Sequence, residues 1–264
     1  MDNQPDKANV WIVDIETSPC IVLVWGLGKQ YVTKDQLIKD WHIMMFRAKK
    51  LGAPASSMVK METQNGNDMP LLKKLWDIFN EADVIITQNG KKFDEPKIKA
   101  RMMLKGFSPY RPFRHHDTFE QNTDKEFTSH SLDYLSDKFC TKYKKLKHKL
   151  FAGLSLWKAC LGIKISLNPD PKAWKEMGLY CDNDVLSDEE LYLKTRGWSN
   201  SRAPSLYHNV SDINPKCRIC GGKTHKRGVA WKNAKTQVQR IQCQGCGAWD
   251  SIAIPKVSPK KAAA

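Results

Sequence analysis

The chain has 264 residues, with 43 Lys and Arg against 28 Asp and Glu, for a formal net charge of +15 at neutral pH. That length suits one full domain with a small annex, and that charge suits a polyanionic partner such as nucleic acid. No run of about 18 apolar residues occurs and the opening "MDNQPDKAN" lacks the charged-then-apolar order of a secretory leader. A soluble, cytoplasmic protein is therefore expected.

The first element is the strand around "WIVDIETSP" (11 to 19), where Val10, Ile12, Asp14 and Glu16 alternate onto one face and Trp11, Val13 and Ile15 onto the other. "CIVLVWGLG" (20 to 28) and "WHIMMFRAKKLG" (41 to 52) read as two more strands, giving an antiparallel meander of three. "PLLKKLWDIFNEA" (70 to 82) has the apolar spacing of a helix, and "DVIITQNG" (83 to 90) that of a short buried strand. "DEPKIKARMMLKG" (94 to 106) runs from acids and Pro96 to Gly106, the order of helix start and stop signals. A strand at "RHHDTF" (114 to 119), a helix at "SLDYLSDKF" (131 to 139) and one long helix over 170 to 195, bent near Gly178, complete the pattern. Residues 196 to 215 lose periodicity and gather Ser, Asn and Pro, as a linker does.

Beyond the linker stand two C-x2-C pairs, Cys217 with Cys220 and Cys243 with Cys246, 22 residues apart and followed by glycine. Duplicated knuckles of this kind place four thiolates around one Zn²⁺, and a zinc ribbon is expected. The basic residues between the pairs, His225, Lys226, Arg227, Lys232, Lys235 and Arg240, with Trp231 among them, suit phosphate contact and base stacking. The other cysteines, Cys20, Cys140, Cys160 and Cys181, are scattered singly, as in a reducing compartment.

Two like charges inside a buried strand raise each other's pKa, and a shared divalent cation would offset that cost. Asp94 sits at the tip of the strand 83 to 88, where it can reach toward Asp14 and Glu16 or simply cap the following helix. Tyr180 and Asp184 share one helical face, which also suits a solvated surface. Four converging carboxylates suit two Mg²⁺ or Mn²⁺ ions for phosphodiester cleavage, with neutral Tyr180 orienting the attacking water. The cationic stretch "KFCTKYKKLKHKLF" (138 to 151) offers Lys144, Lys145 and Lys147 as phosphate contacts, or as a solvated face.

Taken together, D-x-E (Asp14, Glu16), N-x3-F-D (Asn89, Phe93, Asp94) and Y-x3-D (Tyr180, Asp184) resemble the three motifs of the DnaQ-like 3'-to-5' exonucleases in their tyrosine-bearing DEDD subclass. "DIETSP", "VWGL", "YCDNDV" and the Cys-paired tail are similar to small phage-encoded exonucleases of the ribonuclease H-like superfamily. The resemblance implies an α/β fold with a mixed five-stranded sheet flanked by helices, followed by the zinc ribbon. It implies Asp14, Glu16, Asp94 and Asp184 as metal ligands and Tyr180 as the water-positioning group. Asn89 and Phe93 would support the site or the terminal nucleotide, and Asp117 would be structural. The expected organisation is an exonuclease domain over 9–198, a linker over 199–214, the ribbon over 215–255 and a basic tail over 256–264. DNA with single-stranded 3' ends is the expected substrate and a replication or repair protein a possible partner. An exoribonuclease or structure-selective endonuclease on the same scaffold, and a zinc-ribbon adaptor with a vestigial site, are the rival readings.

Overall fold

A computed structural model describes residues 8–147, 151, 153–163, 169–199, 216–233 and 236–254. The chain divides into two compact units, Ala8–Tyr192 and a smaller one that includes everything from Leu193 onward. The expected linker, apart from Ser199, the basic tail, Lys235 and positions 148–150 of the cationic stretch lie outside the described residues.

In the larger unit, β1 (Val10–Thr17) is the central strand of a five-stranded mixed sheet. A two-stranded ribbon of β2 (Ile21–Val22) and β3 (Leu37–Lys39) interrupts the chain before β4 (Ile43–Lys50) and β5 (Val59–Glu62). Next come α1 (Met69–Glu81), β6 (Val84–Thr87), α2 (Asp94–Leu104), β7 (Arg114–Asp117) and α3 (Thr118–Asn122). Three further helices, α4 (Leu132–Phe139), α5 (Ser155–Cys160) and α6 (Pro171–Thr195), close the unit. The sheet order is β5-β4-β1-β6-β7; β4 runs antiparallel to β1 and β5, while β6 runs parallel to β1 and β7.

The alternation of β1 sorts its side chains into two cores. Trp11, Val13 and Ile15 pack with Leu71, Leu75, Ile78 and Phe79 of α1 and Ile98 and Met102 of α2. Val10 and Ile12 pack on the opposite face with Ile86 and with Val185 and Tyr192 of α6. Met44 and Met45 on β4 meet α5 and the first half of α6 through Leu156, Trp174, Met177 and Cys181. Each fully buried side chain of this size contributes roughly 1.5–3 kcal/mol, so both helical layers are fixed to the sheet. Asp14 and Glu16 consequently emerge on the α6 side.

The antiparallel meander exists, but its third strand is β5 rather than the segment 20 to 28. Only Ile21 and Val22 of that apolar run pair, with Leu37 to Lys39, and the rest, Cys20 and residues 23–28, stands exposed. Apolar content marks a surface patch as readily as a buried strand, and here it marks the patch. The long helix runs unbroken through Gly178, a position where an added Cβ would lie 2.9 Å from Arg47 Nη2. Among the described residues, no helix is long and apolar enough to cross a membrane.

The smaller unit holds a three-stranded antiparallel sheet, β8 (Thr224–Asn233), β9 (Thr236–Cys243) and β10 (Trp249–Ala253), in the order β10-β9-β8. Its two cysteine turns repeat one geometry: Gly221 N–H donates to Cys217 O at 2.8 Å, and Gly247 N–H donates to Cys243 O at 3.2 Å. Both glycines have positive φ, 69° and 74°, which a side chain would disfavour.

Candidate functional site

Three elements deliver the four acids. Asp14 and Glu16 lie two residues apart on β1, next to a register shift after Glu16 that frees the strand end from regular pairing. Asp94 comes from the first turn of α2, at the end of a tight connection from β6. Asn89 takes a left-handed backbone (φ 62°), and Gly90 follows because an added Cβ would meet Thr87 Oγ1 at 2.3 Å. Asp117 fixes this turn by accepting from Asn89 N–H at 2.8 Å and Lys91 N–H at 3.0 Å, while capping α3 through Phe119 N–H at 3.0 Å. The N-cap position of α2 is Phe93, which makes no side-chain cap hydrogen bond. Asp94 Oδ1 accepts from Ile15 N–H at 3.1 Å, which holds this carboxyl against β1 between Asp14 and Glu16 in the strand. Tyr180 and Asp184 stand one turn apart on α6, where Cys181 Sγ donates to Asp14 Oδ2 at 3.1 Å.

The carboxyls repel one another in a poorly solvated place. Burial, then the charge of Asp184, raises the Asp14 pKa to about 7, against opposing contributions from Cys181, Lys145 and Arg47. Burial lifts Glu16 well above its ordinary value, followed by Asp14 and Asp184. Burial lifts Asp94 likewise, followed by Asp14. An oxygen-only donor set under this load fits hard divalent cations of the Mg²⁺ and Mn²⁺ class. Among the described residues, only the four cysteines form a set of three or more ligating groups with donor atoms all within 4.8 Å. The four acids do not form such a set.

Lys145 reaches the same place from the loop after α4. Glu190 accepts from Thr141 N–H at 2.7 Å and Tyr143 N–H at 2.9 Å, and Asn183 Nδ2 donates to Lys144 O at 2.7 Å, so the loop lies along α6. Lys145 Nζ then stands 2.7 Å from Asp184 Oδ2 and 4.5 Å from the centroid of the Tyr180 ring. Burial opposes its charge, but Asp184 and Tyr180 outweigh burial and raise its pKa. Burial and Asp184 raise the Tyr180 pKa, so its hydroxyl keeps its proton at neutral pH. Of the other expected phosphate contacts, Lys144 pairs with Asp137 at 2.9 Å and Lys147 is exposed. Phe93 lines a groove of about 380 Å³ with Glu16, Trp41, Lys97 and Trp157, and Lys97 Nζ lies 4.0 Å over the Trp41 ring. Asn89 serves the site through its backbone turn.

Two charged residues of the site went unnoticed in the sequence. Arg47, opposite Asp14 on β4, is buried; its Nε donates to Asp182 Oδ1 at 2.5 Å and its Nη2 to Glu62 Oε2 at 3.1 Å. Nothing in "MMFRAKK" marks it as buried, although a glycine inside α6 hints that something large passes there. Asp188 lies one turn beyond Asp184 and is raised to about 8 by burial, against a hydrogen bond from Thr118, with Asp117, Asp14 and Asp184 adding to the rise. The i, i+4 spacing from Asp184 was the available signal.

The cysteines fit zinc by geometry. Cys217 Sγ lies 3.7 Å from Cys246 Sγ, and Cys220 Sγ 3.6 Å from Cys243 Sγ. A tetrahedron with Zn–S bonds of about 2.3 Å has edges of about 3.8 Å. Backbone N–H groups of Ile219 and Gly245 point at Cys217 and Cys243 sulfur at 3.4 and 3.3 Å, the donation a thiolate accepts. His225 is not part of this set.

Comparison with known proteins adds the following. A model of the RNase H superfamily matches residues 13–195. No curated relative matches the chain. Among solved structures, the family B DNA polymerase from the hyperthermophilic archaeon Pyrobaculum calidifontis is similar over 75% of this chain, with a TM-score of 0.52 and 17% identity. This chain covers 26% of that polymerase's length, so the likeness concerns the fold of one part of it.

Proposed function

The chain belongs to the RNase H superfamily, and from that premise we propose that it is a metal-dependent 3'-to-5' exonuclease of the tyrosine-bearing DEDD type, acting on single-stranded 3' ends of DNA. The observation that carries this reading is the placing of Asp94 against Ile15 N–H between Asp14 and Glu16, and of the Asp184 turn of α6 against Asp14 through the Cys181 thiol. These four side chains would hold two Mg²⁺ or Mn²⁺ ions, which when bound supply water activation and stabilisation of the departing oxygen.

The chain's own groups do the rest. Asp94 is positioned by the β1 backbone and Asp14 by the Cys181 thiol, so the acids are set before substrate arrives. Protonated Tyr180 donates a directional hydrogen bond to the attacking water, and Lys145 beside it supplies positive charge where phosphate charge accumulates. Phe93, Trp41 and Trp157 offer aromatic faces for the terminal nucleotide in the groove next to Glu16. The ribbon, with Trp231 and Trp249 exposed and Arg240 over the Trp249 ring, adds nucleic-acid contact around a structural Zn²⁺.

End-labelled DNA and RNA strands with free or blocked 3' ends, incubated with Mg²⁺ or Mn²⁺, test the proposal. Stepwise shortening of free DNA ends, lost in Asp184→Asn, is expected. Cleavage that ignores a blocked 3' end overturns the exonuclease reading, and equal or faster cleavage of RNA overturns the DNA preference.

A further inference from the structure

Between Ser18 and His42 the chain leaves the sheet as an arm with fixed feet. Ser18 N–H donates to His42 O at 2.9 Å, His42 N–H donates to Ser18 Oγ at 3.0 Å, and Ser18 Oγ lies 3.0 Å from His42 Nδ1. Both residues are buried. Farther out the arm holds its own shape: β2 pairs with β3, Leu23 N–H donates to Gln36 O at 2.9 Å, and Gln36 Nε2 donates to Leu23 O at 2.9 Å. Gly28 turns the chain back with φ 100°.

This self-supporting ribbon leaves eight large apolar side chains exposed between Leu23 and Ile38, with Trp25 and Leu27 fully in solvent and Tyr31 91% exposed. Apolar surface of this extent marks a binding face. Where the feet stand identifies the occupant. Ser18, Pro19 and Cys20 of one foot and Trp41 at the other line the same groove as Glu16 and Phe93. Whatever lies on the arm is therefore continuous with whatever lies in the acidic groove. Along the arm Lys29, Lys34 and Lys39 outnumber Asp35 and Asp40 by one, and Lys97 adds positive charge beside its foot.

We infer that the arm holds the double-stranded part of a nucleic acid whose 3'-terminated strand runs into the acidic groove, with Trp25 and Tyr31 stacking on the last base pair. The substrate class is then a single-stranded 3' end emerging from a duplex, an assignment that rests on reading the acidic groove as the nuclease centre. Stacking of a base on an aromatic side chain is strong enough to move binding about tenfold per contact and tolerates any sequence.

The test is the double variant Trp25→Ala, Tyr31→Ala, both exposed positions, with circular dichroism to verify the fold. Binding is read by fluorescence anisotropy without Mg²⁺ on a free single strand and on a duplex bearing the same strand as a 3' overhang. The dissociation constant for the overhang duplex is expected to rise about a hundredfold, about tenfold for each of the two contacts, while that for the free strand stays within about twofold. Equal weakening on both substrates overturns the duplex assignment. Unchanged binding on both overturns it as well and turns the arm into a protein-docking surface. If the wild-type protein binds the overhang duplex through the arm yet cleaves neither substrate with Mg²⁺, the nuclease reading fails and the arm's assignment stands.

Discussion

Replacing Asp14 by Asn removes a carboxyl that folding places under electrostatic load, while the Asn carbonyl oxygen still accepts from the Cys181 thiol. Displacement of the Asp14 pKa from 3.8 to about 7 is worth on the order of 4 kcal/mol, reduced to about 2–4 kcal/mol by the side chain's partial exposure. The sign follows from proton linkage. The folded protein binds this proton more tightly than the unfolded chain, so wild-type stability falls as pH rises from about 4 to about 7. The Asn variant does not share that loss. The two proteins should therefore unfold alike near pH 4, and above pH 7 Asp14→Asn should melt roughly 5–12 °C higher. The measurement is thermal unfolding across this pH range in buffer free of Mg²⁺ and Mn²⁺, without chelators that would strip zinc. Millimolar Mg²⁺ should then raise the wild-type melting temperature and leave the variant's almost unchanged. A variant that melts at or below the wild type at pH 8 without Mg²⁺ would refute the claim that these acids repel one another in the folded state.

Lys145→Met removes a cation that lowers both Asp14 and Glu16, so the acid limb of the pH–rate profile for cleavage should move up by about half to one pH unit. Arg47→Met removes the buried partner of Asp182 and Glu62, although Lys60 still pairs with Asp182; urea unfolding should register a loss of about 1–2 kcal/mol. Cys243→Ser breaks the sulfur tetrahedron, and metal analysis of the purified protein should fall from one zinc per chain to nearly none.

The parts of the site that were legible in the sequence are those where one element carries the signal alone. Alternation in "VWIVDIET" placed Asp14 and Glu16 on one face, and the structure has both on the side covered by α6. The paired C-x2-C spacing foretold the four-sulfur cluster for the same reason. What sequence left hidden depends on partners distant along the chain. Lys145 looked like one cation in a solvated run, but Glu190 and Asn183 draw its loop along α6 and aim it at Asp184. Arg47 reads as an ordinary strand residue until Asp182, 135 positions later, closes over it. The exposed arm reads as a strand because "CIVLVWGLG" meets every local criterion for burial, and no local feature says whether a neighbour arrives to cover it.

The helix that carries Tyr180 and Asp184 is the last element of its unit to be made, 170 positions after Asp14. Until it docks, the earlier acids lack both the Cys181 thiol and the fourth carboxyl, and a growing polypeptide has only fragments of a cation cage. Such distant pairings form slowly. On the proposed nuclease reading, competence for cleavage is thereby tied to completion of the whole unit, and a truncated or half-folded copy would lack it.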